Sequence, residues 1–214
     1  MKLGPQLPRA GRQQRREKGR VEAFSDGVFA IAMTLLVLEL RVPPATEVHD
    51  GQALATALLH EWPSYAAYLL SFGTILIMWV NHHVLLDHLT QVDHAFLYLN
   101  GLLLLSITLV PFPTRLVAEH AGNPGGHVAA AVYCGLCTLI AVFFNAVWWY
   151  AVRGGRLIVG TGAEQAVSRR YLFGPLIYFA AFVLSFFSVA LSLLLCAGLA
   201  LFFAWPYRPR GMEV

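Results

Sequence analysis

Charge is what this sequence has least of. Asp, Glu, Lys and Arg make up 13% of its 214 residues, while 57% are hydrophobic and the mean hydropathy is +0.61. A soluble domain carries about 25% charged residues. The shortfall excludes a soluble core and points to a chain that crosses a membrane several times. Cysteine is also scarce. Cys134, Cys137 and Cys196 all lie in apolar stretches and read as packing residues, which excludes a disulfide framework. The Cys134-x-x-Cys137 spacing has no second pair and no polar ligand beside it. Catalytic patterns are missing too: there is no G-x-S-x-G, no Walker loop, and no carboxylate pair beside a base. The expectation is a protein that is not an enzyme and has no resident cofactor or metal. No internal repeat is evident, and Phe24-Ser25-Asp26 occurs once. The first apolar run is too long for a signal peptide, so it reads as the first span.

What is present is a series of long apolar stretches. Residues 20–41 would reach ~33 Å as helix at ~1.5 Å per residue, about the thickness of bilayer hydrocarbon. A basic tail, residues 1–19, leads into this stretch, and Pro43-Pro44 stops it. Further helices are expected at about 53–90, 95–118, 127–152, 170–186 and 188–205. Residues 207–214 form a C-terminal tail. Two blocks exceed one perpendicular crossing, and Lys/Arg bias decides how they run. With the basic tail cytoplasmic, one crossing for residues 53–90 keeps the arginines of loop 153–170 inside, and a hairpin near Phe186-Phe187-Ser188 returns Arg208 and Arg210 there. Of the fifteen Lys and Arg, only Arg41 and Arg115 then fall outside. The expected fold is all-α: an integral membrane protein of six transmembrane helices with both termini cytoplasmic. Trp148, Trp149, Tyr150, Trp205 and Tyr207 would form the inner aromatic belt. Lipid contact and orientation account for the basic tail, so no nucleic-acid partner is expected.

Polar residues inside spans need a reason, because an ionisable group there costs roughly 2.5–3.5 kcal/mol on insertion scales. Ser25 and Asp26 sit in the first turns of helix 1. On a wheel of ~100° per residue, Ile31, Leu35 and Leu38 form one narrow apolar stripe, bordered by Thr34, and Asp26 lies roughly 140° away. Periodicity alone leaves open whether this stripe lines something narrow or simply packs. Helix 2 runs the other way and brings Trp79, Asn81, His82 and His83 to the depth of Asp26. Indole, imidazole and the Arg20 guanidinium would then partner its carboxylate. The spacing predicts a polar clasp between helices 1 and 2, structural or switching. His82, His83, Asp87, His88, Asp93 and His94 are the densest ligand-type cluster, yet only His83 and Asp87 share a helix face at i, i+4. Without H-E-x-x-H this reads as an interfacial polar cap. Asn100 reads as an interhelical hydrogen-bond residue. Glu39 at the outer end of helix 1 either rings a vestibule or ends a helix in solvent.

The run Arg20-x-x-x-Phe24-Ser25-Asp26-Gly27-Val28-Phe29-Ala30-Ile31 resembles the helix 1 motif of the transmembrane protein 175 family of potassium channels. Trp62-Pro63-Ser64-Tyr65, Trp79-Val80-Asn81-His82-His83 and Pro111-Phe112-Pro113-Thr114 are similar to its prokaryotic, single-repeat members. The resemblance implies a homotetramer in the plasma membrane of a prokaryote, with potassium as the permeant ion and helix 1 of each subunit lining a central pore. Ile31, Leu35 and Leu38 would be its apolar constriction, and Thr34 would lie beside it. Arg20, Phe24, Ser25 and Asp26 would join Trp79, Asn81, His82 and His83 in the network below. The family channels lack a carbonyl filter, and this sequence has no Thr-Val-Gly-Tyr-Gly loop. The alternative from a different class is a proton- or cation-coupled transporter using Asp26 and His82/His83 as a relay.

Overall fold

A computed structural model describes residues 9–46, 48–153 and 164–204. The described residues are all-helical. They form α1 (Arg9–Leu35), α2 (Gly51–His60), α3 (Trp62–Asp87), α4 (His94–Thr108), α5 (Pro111–His120), α6 (Gly126–Arg153), α7 (Glu164–Ser185) and α8 (Val189–Ala204). A 3-10 turn, Leu36–Glu39, extends α1. Tail residues 1–8, loop residues 154–163 and residues 205–214, which hold Trp205 and Tyr207, lie outside the described set.

Among the described residues, four segments are long and apolar enough to cross a bilayer: Gln13–Glu39, Trp62–Asp87, His94–His120 and Gly126–Arg153. Tyr171–Ser185 and Val189–Ala204 are shorter apolar helices. They pack against each other across the turn at residues 186–188, where the Ser188 hydroxyl accepts from the Leu191 N–H at 3.3 Å. Long apolar side chains cover the outside of the bundle, among them Leu69, Leu105, Leu176 and Leu201. This is the inverse of a soluble protein and suits a hydrocarbon solvent. The chain is a multi-pass membrane protein.

Proline explains most differences from the expected helix limits. The stretch expected as one helix over 53–90 breaks at Glu61 into α2 and α3. Pro63 lacks the N–H that would bond the Leu59 carbonyl, and it restricts the residue before it. The ten residues of α2 bury no side chain. At ~15 Å it is too short to cross. Pro111 and Pro113 likewise bend the third span into α4 and α5. Helix 1 begins earlier than expected, at Arg9, and its last turn tightens before the chain extends at Leu40 towards Pro43-Pro44.

The long helix α6 lies at the centre and touches α4, α5, α7 and α8. It enters through a close approach at Gly126, where a Cβ would come within 2.8 Å of the His120 carbonyl oxygen. Its Tyr133 hydroxyl, Ser71 of α3 and Thr114 of α5 form a buried chain with O–O distances of 3.3 and 2.7 Å. The three cysteines are free and buried, and the Cys134 and Cys196 sulfurs lie 3.5 Å apart. The expected aromatic belt is only partly at the surface. Trp149 is exposed beneath the Arg153 guanidinium at 4.8 Å, but Trp148 is buried against Tyr171 and His88 because it lies on the inner face of α6.

Candidate functional site

Helix α1 has two unlike faces. Val21, Ser25, Phe29, Ala32 and Leu36 recur every three or four residues and are buried against α3 and α4. The other face carries Phe24, Ile31, Leu35 and Leu38, exposed by 65, 58, 40 and 73%. Thr34 is also exposed, its hydroxyl turned back to the Ile31 carbonyl at 2.9 Å. The 3-10 turn sharpens this stripe. At three residues per turn Leu38 eclipses Leu35, whereas an α-helix would set it ~60° aside. Ile31, Leu35 and Leu38 therefore present three levels spaced by ~6 Å.

The opposite face is fastened by polar contacts. Trp79 of α3 donates its indole N–H to Asp26 Oδ1 at 2.8 Å. Asn100 of α4 donates to Ser25 Oγ at 3.1 Å, and its Oδ1 lies 2.8 Å from His82 Nε2. Since Asn100 Oδ1 can only accept, His82 Nε2 carries the hydrogen and donates it. All three of Ser25, His82 and Asn100 are buried, and the His82 ring packs on Phe29 and Phe144 at 5.4 and 6.5 Å between centroids. His83 takes the other side of α3: its Nε2 lies 3.7 Å from Glu22 Oε1 and its ring stands beside Trp79.

The clasp thus joins three helices, and its membership differs from expectation. Asn81 is not in it. It lies ~160° from Trp79 around α3, and its amide donates to the Ile77 and Phe203 carbonyls at 2.8 and 3.4 Å, towards α8. Arg20 does not reach Asp26. Its exposed side chain lines a groove between α1 and α4 together with Phe24, Glu17 and Asp93. Phe24 is turned outward for the same reason: Ser25 and Val21 take the inner face. Asn100 is the member that links Ser25 to His82. Glu22 is not singled out by any sequence motif, although it precedes Asp26 by four residues and so shares its face.

At the other end of α1, Glu39 lies beside an ion-pair cluster, its Oε2 buried with no hydrogen-bond partner among the described residues. Its carboxylate lies 3.9 Å from Arg115 Nε, and Glu119 of α5 bridges Arg115 and Arg41 at 3.1 Å each. Its side chain is only 19% exposed, so the open solvated end considered for it is not what the structure has. Near the clasp, Asp93 caps α4 by accepting from the Phe96 N–H at 2.9 Å and from the Tyr150 hydroxyl at 2.7 Å. These two bonds hold its carboxyl below its ordinary pKa.

Comparison with known proteins finds the same architecture. A solved structure, described as a lysosomal potassium-selective channel TMEM175 homolog from Chamaesiphon minutus, matches with a TM-score of 0.81 at 50% identity, covering 88% of this chain and 97% of that one. "Potassium channel Cha6605_3372" of Chamaesiphon minutus is 50% identical over 191 residues, 88% of this chain and 94% of the relative. The chain belongs to the TMEM175 family. The family described as "Endosomal/lysosomal potassium channel TMEM175" matches residues 20–111. "Potassium channel B446_29190" of Streptomyces collinus is 44% identical over 198 residues, 90% of this chain and 94% of that relative. The segment matched to TMEM175 runs from Arg20 to Pro111 and so contains both faces of α1, all of α3 and α4, and every member of the clasp.

Proposed function

We propose that the chain is one subunit of a homotetrameric, potassium-conducting channel of the TMEM175 type. Each subunit spans the plasma membrane of a prokaryote six times, with both termini cytoplasmic. The four long apolar segments supply four crossings, and α7 and α8 supply the last two as a hairpin. At ~24 Å the sixteen residues of α8 cross with local thinning of the bilayer. The observation that carries the reading is the exposed apolar stripe of α1, opposite a face held by buried hydrogen bonds. Around a fourfold axis, Ile31, Leu35 and Leu38 stack three apolar rings that narrow or dewet to close the path. Thr34 lies beside them. A potassium ion sheds part of its hydration shell more easily than sodium, so selectivity over sodium is modest. No cofactor is required. The names of the similar bacterial proteins and the description of the solved homologue support potassium as the permeant ion.

The coupled-transporter alternative needs Asp26, His82 and His83 in one hydrogen-bonded relay. Among the described residues Asp26 accepts from Trp79 and His82 bonds Asn100, with no direct hydrogen bond between Asp26 and either histidine.

Potassium flux from proteoliposomes holding the purified protein tests the proposal, with sodium and proton gradients as controls. The expected result is fast, potassium-preferring flux that Leu35→Ala and Ile31→Ala raise several-fold. Flux that appears only with a proton gradient, or a current unchanged in both variants, overturns it.

A further inference from the structure

We infer that Glu22, His83 and Asp87 form a transition-metal site that fastens α1 to the last turns of α3. One ligand atom from each residue lies within 4.8 Å of the other two. Sequence spacing alone offers only the i, i+4 pair His83 and Asp87, too few to hold an ion. The fold supplies the third group, Glu22, from the neighbouring helix, with its Oε1 already 3.7 Å from His83 Nε2. A first-row ion at ~2.0–2.2 Å from each ligand needs donors ~3.3–3.6 Å apart in a tetrahedral site. Two carboxylate side chains close that gap by rotating, because Asp87 is exposed and Glu22 is half-buried on a long side chain.

The donor set decides the class of ion. An imidazole with two carboxylates suits zinc, cobalt or nickel, whereas calcium and magnesium take oxygen alone. Three protein ligands leave one coordination position for water. The imidazole is already placed: its ring stands 5.9 Å from the Trp79 ring, and Trp79 itself is held by Asp26. His83 Nδ1 is buried with no hydrogen-bond partner among the described residues, so the ring is oriented by its packing beside Trp79 and not by a second hydrogen bond. An ion here would sit one helical turn from Asp26 and join the same two helices that the Trp79–Asp26 bond joins. It would add a second fastening to the inner face of α1.

The inference does not depend on conduction, and its test uses none. The full chain, purified in detergent micelles and stripped with a chelator, is titrated with cobalt, whose visible bands report a low-coordinate nitrogen and oxygen site. Zinc is titrated by calorimetry. The expected result is a single saturable ion per chain, with zinc displacing cobalt and raising the unfolding temperature. Glu22→Gln and Asp87→Asn each weaken binding by roughly tenfold or more. His83→Ala abolishes the cobalt bands. His88→Ala and His94→Ala, neighbours outside the trio, leave binding unchanged. Each variant is checked for folding by helical circular dichroism and elution volume, and Asp87→Asn, at an exposed position, guards against loss through misfolding. Absence of saturable binding, or binding undiminished in both Glu22→Gln and Asp87→Asn, overturns the site.

Discussion

Asn100 has more to do than any other single side chain near α1. It gives one hydrogen bond to Ser25 and takes one from His82, and all three side chains are buried. Removing it leaves a hydroxyl and an imidazole N–H unpaired. Such orphaning costs about 1–3 kcal/mol in general, although interhelical bonds in membranes average less, about 0.6 kcal/mol. Asn100→Leu should therefore lower stability in micelles by about 1–2 kcal/mol. Ser25→Ala should cost less, because Asn100 keeps His82. The two changes should be non-additive in a double-mutant cycle of thermal unfolding. Independent, additive losses would show that the bonds do not act as one network. Trp79 plays the parallel part for Asp26, which has no other hydrogen bond among the described residues.

At the scale of the helix, Pro175 inside α7 poses a specific problem. It has no N–H for the Tyr171 carbonyl, and hydrocarbon offers no water in its place. Asn145 of α6 provides the missing donor at 2.8 Å and also bonds the Ala141 carbonyl of its own helix. Asn145→Leu is expected to destabilise the protein by about 1–2 kcal/mol. In a Pro175→Ala background the backbone regains an N–H that can serve the Tyr171 carbonyl, so the same change should cost much less. An equal cost in both backgrounds would mean that Asn145 matters for packing and not for this carbonyl.

The start of α4 offers a pH-dependent counterpart. The Asp93 carboxyl is held below its ordinary value by the Phe96 N–H first and the Tyr150 hydroxyl second. A depressed folded pKa contributes stability that is present above the unfolded value, about 3.9, and is lost as pH falls through the folded one. Tyr150→Phe removes one of the two bonds, so its acid unfolding limb should begin at higher pH than the wild type's. The difference should be small, because Asp93 is exposed to solvent.

At the scale of the whole molecule, α1 is anchored along its inner face and at its far end. The clasp holds the inner face, and the Glu39–Arg115–Glu119–Arg41 ion pairs tie the far end to α5. The apolar stripe on the opposite face is exposed, so its position in an assembly follows from the rest of the bundle. In the proposed tetramer the rings at Leu38 face each other across a narrow axis. A cysteine placed there, Leu38→Cys, should cross-link subunits into dimers under mild oxidation, while Leu105→Cys on the exposed face of α4 serves as the comparison. The native Cys134, Cys137 and Cys196 are buried and should not contribute. Cross-linking at Leu105 but not at Leu38 would move α1 away from the axis.

Composition and period alone decide that this chain is all-helical and membrane-embedded and that α1 carries an apolar stripe; antiparallel helices put Trp79 at the depth of Asp26 as one of several candidate partners, and packing chose it. Hydropathy depends on residue type, and helix faces depend only on the 3.6-residue repeat. The same repeat sets Asn81 ~160° from Trp79, but that it meets Phe203 of α8 instead of joining the clasp was decided by packing. Glu61 beside Trp62-Pro63 reads in the sequence as a helix entry, and α3 starts there; the break at Pro111 was legible as a proline but not as a helix end, because a kinked and a continuous span share one hydropathy profile. Which distant groups would meet was not legible. Asn145 with Tyr171, Asn100 with both Ser25 and His82, and Glu22 with His83 each pair residues on different helices. Only the packing of those helices sets the angles and depths that bring such groups within a hydrogen bond, and that packing is decided by the tertiary structure.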